Sequence, residues 1–516
     1  MISISSSYIL GNEFRKLVIP GTIVFRLDIN DKKLKFPNYS LTNLIKLINL
    51  IDDNSKPPNN LEYWKGQFPS VFTGKIGRWK NLELKLHIDE SVKPVQAKQR
   101  NKPFHLRKVI DEEIKSKLEQ DLIEEVVGEP TEWLSETVVV PKPNNKVRLC
   151  IDLKAANKAI KRERYQMPNV EDIIYKANEM YVFTVLDLIS SYEQMVLHPD
   201  SRKISRFRTH KGIFQYKRLF FGINSAPEIF HQELEKLIEN IKGAQNAIDD
   251  ILIMGKTFVD NFETVRQVLQ RLAETGLTLN EKKCQFGLTE VTFFGVKLSA
   301  SGISLSDQKV EALKQLKTPE NASELHSFLG LSTFASRWIP GLSQKTDSLW
   351  KKIHQKTNWV WTKQDQEQLE AVKQGVIESV GYFRLDWKTS LYTDASVKGL
   401  SAVLVQTNPH NPEEKRIIIC ISRGLSEAEK KYAQIELEAL APVWAMERLY
   451  MYLLANYFDL YCDNKAIYFI FNNPLAKPPA RIQRWELRIY PYNFKVIHTP
   501  GLGNIADFLS RHHRDK

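Results

Sequence analysis

Two neighbouring aspartates, Asp249 and Asp250, interrupt an otherwise apolar run, AIDDILIMG, and they limit what this chain can fold into more tightly than any other feature. Ala247 and Ile248 precede them and Ile251 to Met254 follow, so the pattern predicts a hairpin that carries two charges into a hydrophobic layer. Ionised carboxylates are not tolerated in a low-dielectric interior without compensation, and nothing basic adjoins these two. A hard cation is the natural partner, and an all-oxygen donor set favours magnesium over zinc. A third aspartate, Asp187, lies upstream in FTVLDLISSYEQM and completes a candidate cluster. Two ions about 3.5–4 Å apart on such a cluster suit in-line phosphoryl transfer. The plainer alternative is an Asp-Asp surface turn, which the apolar flanks argue against.

At 516 residues the chain is long enough for about three domains and more than one core. Its 73 Lys and Arg against 61 Asp and Glu give a formal net charge of +12, which suits a polyanionic partner but equally fits an ordinary basic protein. Cys150, Cys284, Cys420 and Cys462 are widely spaced and form no CxxC unit, so neither a disulfide framework nor a zinc module is expected. No apolar run approaches the roughly 20 residues that cross a bilayer, and the start lacks the pattern of a signal peptide, so a soluble, unsecreted protein is expected. There is no GxxxxGK[ST] loop to cradle a nucleoside triphosphate.

Residues 1–60 combine short strand-like runs, the apolar stretch LTNLIKLINLI and the breaker-rich DDNSKPPNN, and they point to no function. Beyond them a basic helix follows Pro103, and two strands run through ETVVVPKPNNKVRLCIDL. In EIFHQELEKLIENI, Phe230, Leu234, Leu237, Ile238 and Ile241 recur at helical spacing, predicting an amphipathic helix behind the Asp-Asp hairpin. Helices dominate from 301 to 385, with a cap-like NASE at Asn321–Glu324, the stripe Leu325, Phe328, Leu329, and clustered Trp338, Trp350, Trp359 and Trp361. Strands return after 386 in SLYTDASVKGLSAVLVQ and KRIIICISRGL, then helix, strand and helix again. This mixture without a regular βαβ beat reads as α+β.

Taken together these segments resemble the reverse transcriptase and ribonuclease H portion of a gypsy-type long-terminal-repeat retrotransposon polyprotein across residues 68–512. EPTEWLSETVVVPKPNNKVRLCIDLKAANK resembles the fingers, FTVLDLISSYEQM and AIDDILIMG the two catalytic motifs, and FFGINSAPEIF a template-contacting motif. TGLTLNEKKCQF and VTFFGVKLSASG resemble the motifs that follow, and TPENASELHSFLGLSTFASRWIP the thumb. LYTDAS, SEAEKKYAQIELEAL, LYCDN and HTPGLGNIADFLSR resemble ribonuclease H.

The resemblance implies a right-hand polymerase of fingers, palm and thumb followed by a mixed α/β ribonuclease H domain. The boundaries it suggests are 1–67 for an N-terminal segment, 68–300 for fingers and palm, 301–385 for a helical thumb or connection, and 386–516 for ribonuclease H. It implies polymerase metal ligands Asp187, Asp249 and Asp250 with the Leu188 carbonyl, and nuclease ligands Asp394, Glu438, Asp463 and Asp507 with His498 nearby, each group around two magnesium ions that manganese can replace. Lys142 and Arg148 would grip the incoming deoxynucleoside triphosphate, as paired cations suit phosphate. Tyr192 would exclude a 2′-hydroxyl unless it is simply a packed aromatic, and Lys283 would protonate the leaving pyrophosphate. Phe221 would touch substrate, and Phe293, Phe294 and Gly295 would form the turn that holds the primer end. Arg481, Arg484 and Arg488, at helical spacing, would follow phosphates or form a solvated basic face.

Partners implied are an RNA template, a DNA primer, RNA–DNA hybrids and deoxynucleotides, with no membrane; a homodimer is among the assemblies allowed. The implied location is cytoplasmic, in virus-like particles, with entry of the replication complex to the nucleus. Departures from the family pattern are Ala247, Arg206, Phe220 and Pro442, so a weakened or domesticated nucleic-acid-binding relic is the alternative. Pro442, four residues after Glu438, means that the helix either begins near Glu438 or kinks there.

Overall fold

The computed structural model describes residues 57–141, 147–247, 249–353, 359–473 and 475–499, with the backbone alone at 141, 147, 148 and 247, and the backbone of three N-terminal strands. Two compact units result, Met1–Pro57 and Pro58–Lys516. The first holds an antiparallel sheet of Leu17–Ile19, Ile23–Asp28 and Lys33–Lys35; the stretch LTNLIKLINLI lies outside the described residues. Helix Leu61–Gln67, grouped by sequence with the N-terminal segment, packs in the second unit, where Trp64 is buried against Phe262 with ring centroids 4.7 Å apart.

At the centre of the second unit is a four-stranded antiparallel sheet in the order Ala244–Ala247, Asp250–Gly255, Val182–Asp187, Gln285–Leu288. The two middle strands read as nearly continuous apolar runs because both of their faces are covered. Leu186, Ile251 and Ile253 point into one core with Phe230, Leu234 and Leu269, whereas Phe183, Val185, Leu252 and Met254 point into another. Helices Ala226–Ile238 and Phe258–Thr275 back the first face. The second of these starts at a Thr257/Asp260 capping box and stops at Gly276, whose φ of +79° and closeness to the Arg78 carbonyl leave no space for a side chain.

Upstream, a five-stranded sheet contains the predicted hairpin as Ser135–Pro141 paired with Val147–Ile151. Two of the departures find structural reasons here. Arg206 is only 2% exposed; its guanidinium pairs with Glu129 and bonds Gln215 Oε1 at 2.9 Å and the Pro130 carbonyl at 2.7 Å. Phe220 is buried and stacks on Tyr216 with centroids 4.0 Å apart.

The expected boundary at 300 cuts a three-stranded meander, Glu290–Phe293, Val296–Ser299, Gly302–Leu305. Helices Ala322–Phe334, Leu342–Ile353 and Lys363–Gln374 follow. Asn321 caps the first, accepting from the Glu324 N–H at 2.9 Å, and Leu325, Phe328 and Leu329 are buried as the stripe predicts. Trp338 is buried and donates to the Ile303 carbonyl at 3.0 Å, Trp359 and Trp361 stack at 6.0 Å, and Trp350 is exposed.

The C-terminal sheet has the order Asn411–Gly424, Gly399–Asn408, Lys388–Ser396, Tyr457–Cys462, Asn493–His498, with the last two strands parallel to Lys388–Ser396. Helices Gln434–Arg448 and Ala480–Ile489 cover one face. On the other face Val403, Val405, Ile417 and Cys420 join the core that reaches Phe183 and Leu252 of the central sheet. Among the described residues no helix is long and apolar enough to cross a membrane.

Replacing Arg206 by Met removes a buried cation whose partners are a carboxylate, an amide and a carbonyl, so the melting temperature should fall by the equivalent of about 1–3 kcal/mol. Thermal unfolding of the variant measures this, and an unchanged midpoint would mean that the network contributes nothing to stability.

Candidate active sites

Strand register assembles the first acidic centre. Asp250, the first residue of its strand, lies directly opposite Asp187, the last residue of the neighbouring antiparallel strand. Ala247 pairs with Asp250, so Asp249 stands in the tight hairpin turn. Its Oδ1 accepts from Ser191 Oγ at 3.1 Å, and the Tyr192 hydroxyl also bonds this carboxylate. Burial lifts the Asp250 carboxyl to about 6, with the charges of Asp187 and Asp249 adding to the rise. Burial also raises Asp249 and, helped by Asp249, raises the Tyr192 phenol.

Among the described residues the cation in contact is Lys283, whose Nζ is 2.9 Å from Asp187 Oδ2. It is placed there because the Asn280 N–H donates to the Asp187 carbonyl at 2.8 Å, and a turn closed by Lys283 N–H on the Asn280 carbonyl follows. The hydrogen bond to Asp187 raises its pKa, and its side chain is 65% exposed.

Aromatic side chains pack around Tyr192 beside this centre. Tyr192 is buried between Phe221 at 4.8 Å and Phe230 at 5.5 Å, while Phe221 itself is 57% exposed. Phe294 and Gly295 form the hairpin turn between Phe293 and Val296, both with positive φ (50° and 73°). Lys309 fills the space at Gly295 and lies over the Phe334 ring. Arg148 is opposite Val140 in the upstream hairpin, described by its backbone. Lys142 lies outside the described residues, as does the side chain of Ala247.

The second acidic centre gathers Asp394 from strand Lys388–Ser396, Glu438 from helix Gln434–Arg448 and Asp463 just after strand Tyr457–Cys462. Glu438 is half-buried and pushed up to about 7, by burial first and then by the charges of Asp463 and Asp394, against a 2.6 Å hydrogen bond from Gln434. A ring nitrogen of His498, Nε2, is 3.2 Å from the Asp463 carbonyl oxygen. Asp507 lies outside the described residues.

The helix carrying Glu438 does not begin near it. It starts at Gln434 and encloses Pro442, so the Glu438 carbonyl lacks its usual backbone donor while its side chain still feels both aspartates. Of the arginine stripe, Arg481 donates to both oxygens of Glu436 at 2.8 Å and lies 4.0 Å over Tyr432, and Arg488 bonds Glu447 Oε1 at 2.7 Å. Arg484 bonds the Ala480 carbonyl of its own helix at 3.3 Å. Two of the three charges are therefore spent within the domain.

Sequence reading overlooked Ser191, Gln434 and Gln344, whose Nε2 is 3.3 Å from Asp394 Oδ2. A signal existed only for the first, in the double serine after Asp187, where Ser190 turns the chain with a φ of +43°. Among the described residues no three acidic, His or Cys side chains form a ready cage for a metal. The donor set nevertheless fits a hard divalent cation: half-buried oxygens in excess of positive charge, with an exposed lysine as a counter-ion.

Comparison with known proteins gives these two centres a context. Residues 140–298 match the reverse transcriptase (RNA-dependent DNA polymerase) family, and residues 385–492 match the RNase H-like domain found in reverse transcriptase. The Transposon Tf2-3 and Tf2-7 polyproteins of Schizosaccharomyces pombe are each 27% identical over 520 residues, covering 99% of this chain and 38% of the relative. The chain thus spans well under half the length of those relatives. Among solved structures, the foamy viral protease-reverse transcriptase dRH in complex with double-stranded DNA aligns with a TM-score of 0.74 and 20% identity, over 90% of this chain and 84% of that one. The same foamy viral enzyme in complex with an RNA/DNA hybrid gives 0.72 and 20%, over 93% and 66%. The fold is that of a retroviral-type polymerase followed by a ribonuclease H-like domain. The matched domains and relatives support the reverse transcriptase and ribonuclease H region of a long-terminal-repeat retrotransposon Pol polyprotein, and a gypsy type is consistent with this. Both domain families depend on divalent metal ions.

Because Asp250 and Glu438 have folded-state pKa values above their ordinary ones, their stabilising contribution is full at acidic pH and is lost as pH rises through about 6 and about 7 respectively. Metal-free Glu438→Gln should therefore melt above the parent at pH 8, by the equivalent of about 1–2 kcal/mol after allowance for partial exposure, and no higher at pH 4. Melting curves across that range check the sign; equal midpoints at pH 8 would contradict it.

Proposed function

We propose that this chain is an RNA- and DNA-directed DNA polymerase that also cuts the RNA strand of RNA–DNA hybrids, acting in retrotransposon replication. The observation that carries the reading is the presence, in one compact unit, of two separate acidic centres, the first set by strand register and the second by a strand, a helix and the residue after a second strand. Asp187, Asp249, Asp250 and the Leu188 carbonyl would hold magnesium, which manganese can replace, in the first; Asp394, Glu438, Asp463 and Asp507 would hold it in the second. The chemistry such ions supply when bound is activation of the primer hydroxyl or of water and neutralisation of charge on the leaving group.

The remaining roles belong to the protein. Lys283 keeps a proton on Nζ beside Asp187 and is the candidate donor to leaving pyrophosphate. Tyr192, fixed by its bond to Asp249 and by Phe230, presents a rigid ring where a 2′-hydroxyl would enter. The Phe294–Gly295 turn would support the primer end, and Lys142 and Arg148 would neutralise the triphosphate. Template RNA, DNA primer, hybrid and deoxynucleotides are the partners; the similar foamy viral protein was captured with double-stranded DNA and with RNA/DNA hybrid. His498 assists product release at the nuclease centre, and replication proceeds in cytoplasmic particles.

Two assays on one preparation test this: magnesium-dependent extension of a DNA primer on RNA, and cleavage of labelled RNA in a hybrid. Asp250→Asn should lower extension by at least about 10³-fold and spare cleavage, and Asp463→Asn should do the reverse. Variants indistinguishable from the parent would refute the site assignment. Tyr192→Ala should admit ribonucleotides, and unchanged sugar selectivity would remove its proposed role.

A further inference from the structure

Three side chains that belong to neither acidic centre meet where the polymerase and nuclease parts of the chain join. Glu171 comes from the first turn of helix Val170–Lys176, which packs Ile173 and Ile174 against the central sheet. Arg337 comes from the 3-10 turn Ala335–Trp338, and Tyr452 from the short helix Tyr450–Leu453 of the nuclease domain. The Arg337 guanidinium pairs with Glu171 Oε1, and the Tyr452 hydroxyl donates to Glu171 Oε2. One carboxylate thus ties three segments distant in sequence, and both of its oxygens are used.

The surroundings make this contact more than a surface ion pair. Arg337 is 8% exposed and its Nη1 is buried without a protein partner. Tyr452 packs edge-on against Phe383 at 5.2 Å, and the Phe383 carbonyl accepts from Asn178 at 3.3 Å. Beside it Arg384 pairs with Glu179 at 2.9 Å, and the Ser343 N–H donates to Ser422 Oγ at 3.0 Å. The apolar core beneath runs without interruption from Phe183 through Leu329 and Trp338 to Val405 and Ile417. Apolar contact is non-directional and permits sliding, whereas charge-assisted hydrogen bonds to one carboxylate fix orientation.

We propose that Glu171, Arg337 and Tyr452 form a positioning lock that fixes the spacing between the two acidic centres, so that RNA is cut at a set distance behind the growing primer end. This inference rests on the reverse transcriptase reading above. The lock touches no reacting atom; it acts through the orientation of the nuclease sheet relative to the central sheet.

The test uses the full chain and an end-labelled RNA template annealed to a DNA primer with a recessed 3′ end, and reads the positions of the first cuts. The parent should cut within a narrow window. Tyr452→Phe, which keeps the ring and removes only the hydroxyl, should at least double the width of that window, with extension rate and total cleavage rate within twofold of the parent. Arg337→Met should broaden it further, and Arg337→Lys should recover part of the parent's pattern. A Tyr452→Phe distribution superimposable on the parent's would overturn the lock while leaving the two activities standing. Absence of both activities in the parent would instead overturn the underlying reading, and the lock with it.

Discussion

The pairing of Asp250 with Asp187 across two antiparallel strands is the constraint on which the polymerase part of this structure depends. Side chains of directly opposed residues are held close, so strand register alone brings two like charges together. A one-residue slip would turn the whole apolar set of Ile251 to Met254 to the wrong faces, and both faces are buried in separate cores. The hydrophobic pattern therefore fixes a charge arrangement that is unfavourable on its own account. Lys283 offsets part of that repulsion, and the remaining excess of negative charge suits the site to a cation.

The same logic recurs in the C-terminal sheet by a different route. There the acids come from a strand, a helix and the residue just after a second strand, and Glu438 is half-buried while the two aspartates are exposed. Pro442 removes a backbone hydrogen bond from its helix without removing Glu438 from the centre. The two catalytic halves are not beads on a linker. The face of the nuclease sheet opposite helix Gln434–Arg448 lies on the helices of residues 322–374, and through them on the central sheet.

Much of this was legible in the sequence because the signals were local. The AIDDILIMG run announced a buried hairpin, the periodicity from Phe230 to Ile238 the helix behind it, and Asn321 with Glu324 a helix start. What was not legible depended on contacts distant along the chain. Arg206 looked anomalous until Glu129, Pro130 and Gln215 closed around it. Ser191, Gln434 and Gln344 carry no motif, since a hydroxyl or amide beside a carboxylate is recognised only once the fold brings it there. The arginine stripe looked available to phosphate because periodicity does not reveal that Glu436 and Glu447 stand opposite two of its members. No local pattern announces that Trp64 packs on Phe262 across residue 67, or that strand Gly302–Leu305 pairs back across residue 300.

Two distinct groups of acidic side chains should each take up divalent metal. Paramagnetic manganese titration, followed by electron spin resonance of free and bound ion, measures this directly in the parent and in two variants. Two classes of bound ion are expected, one lost in Asp187→Asn and the other lost in Asp394→Asn. Uptake that is the same in all three proteins, or absent from the parent, would contradict that expectation.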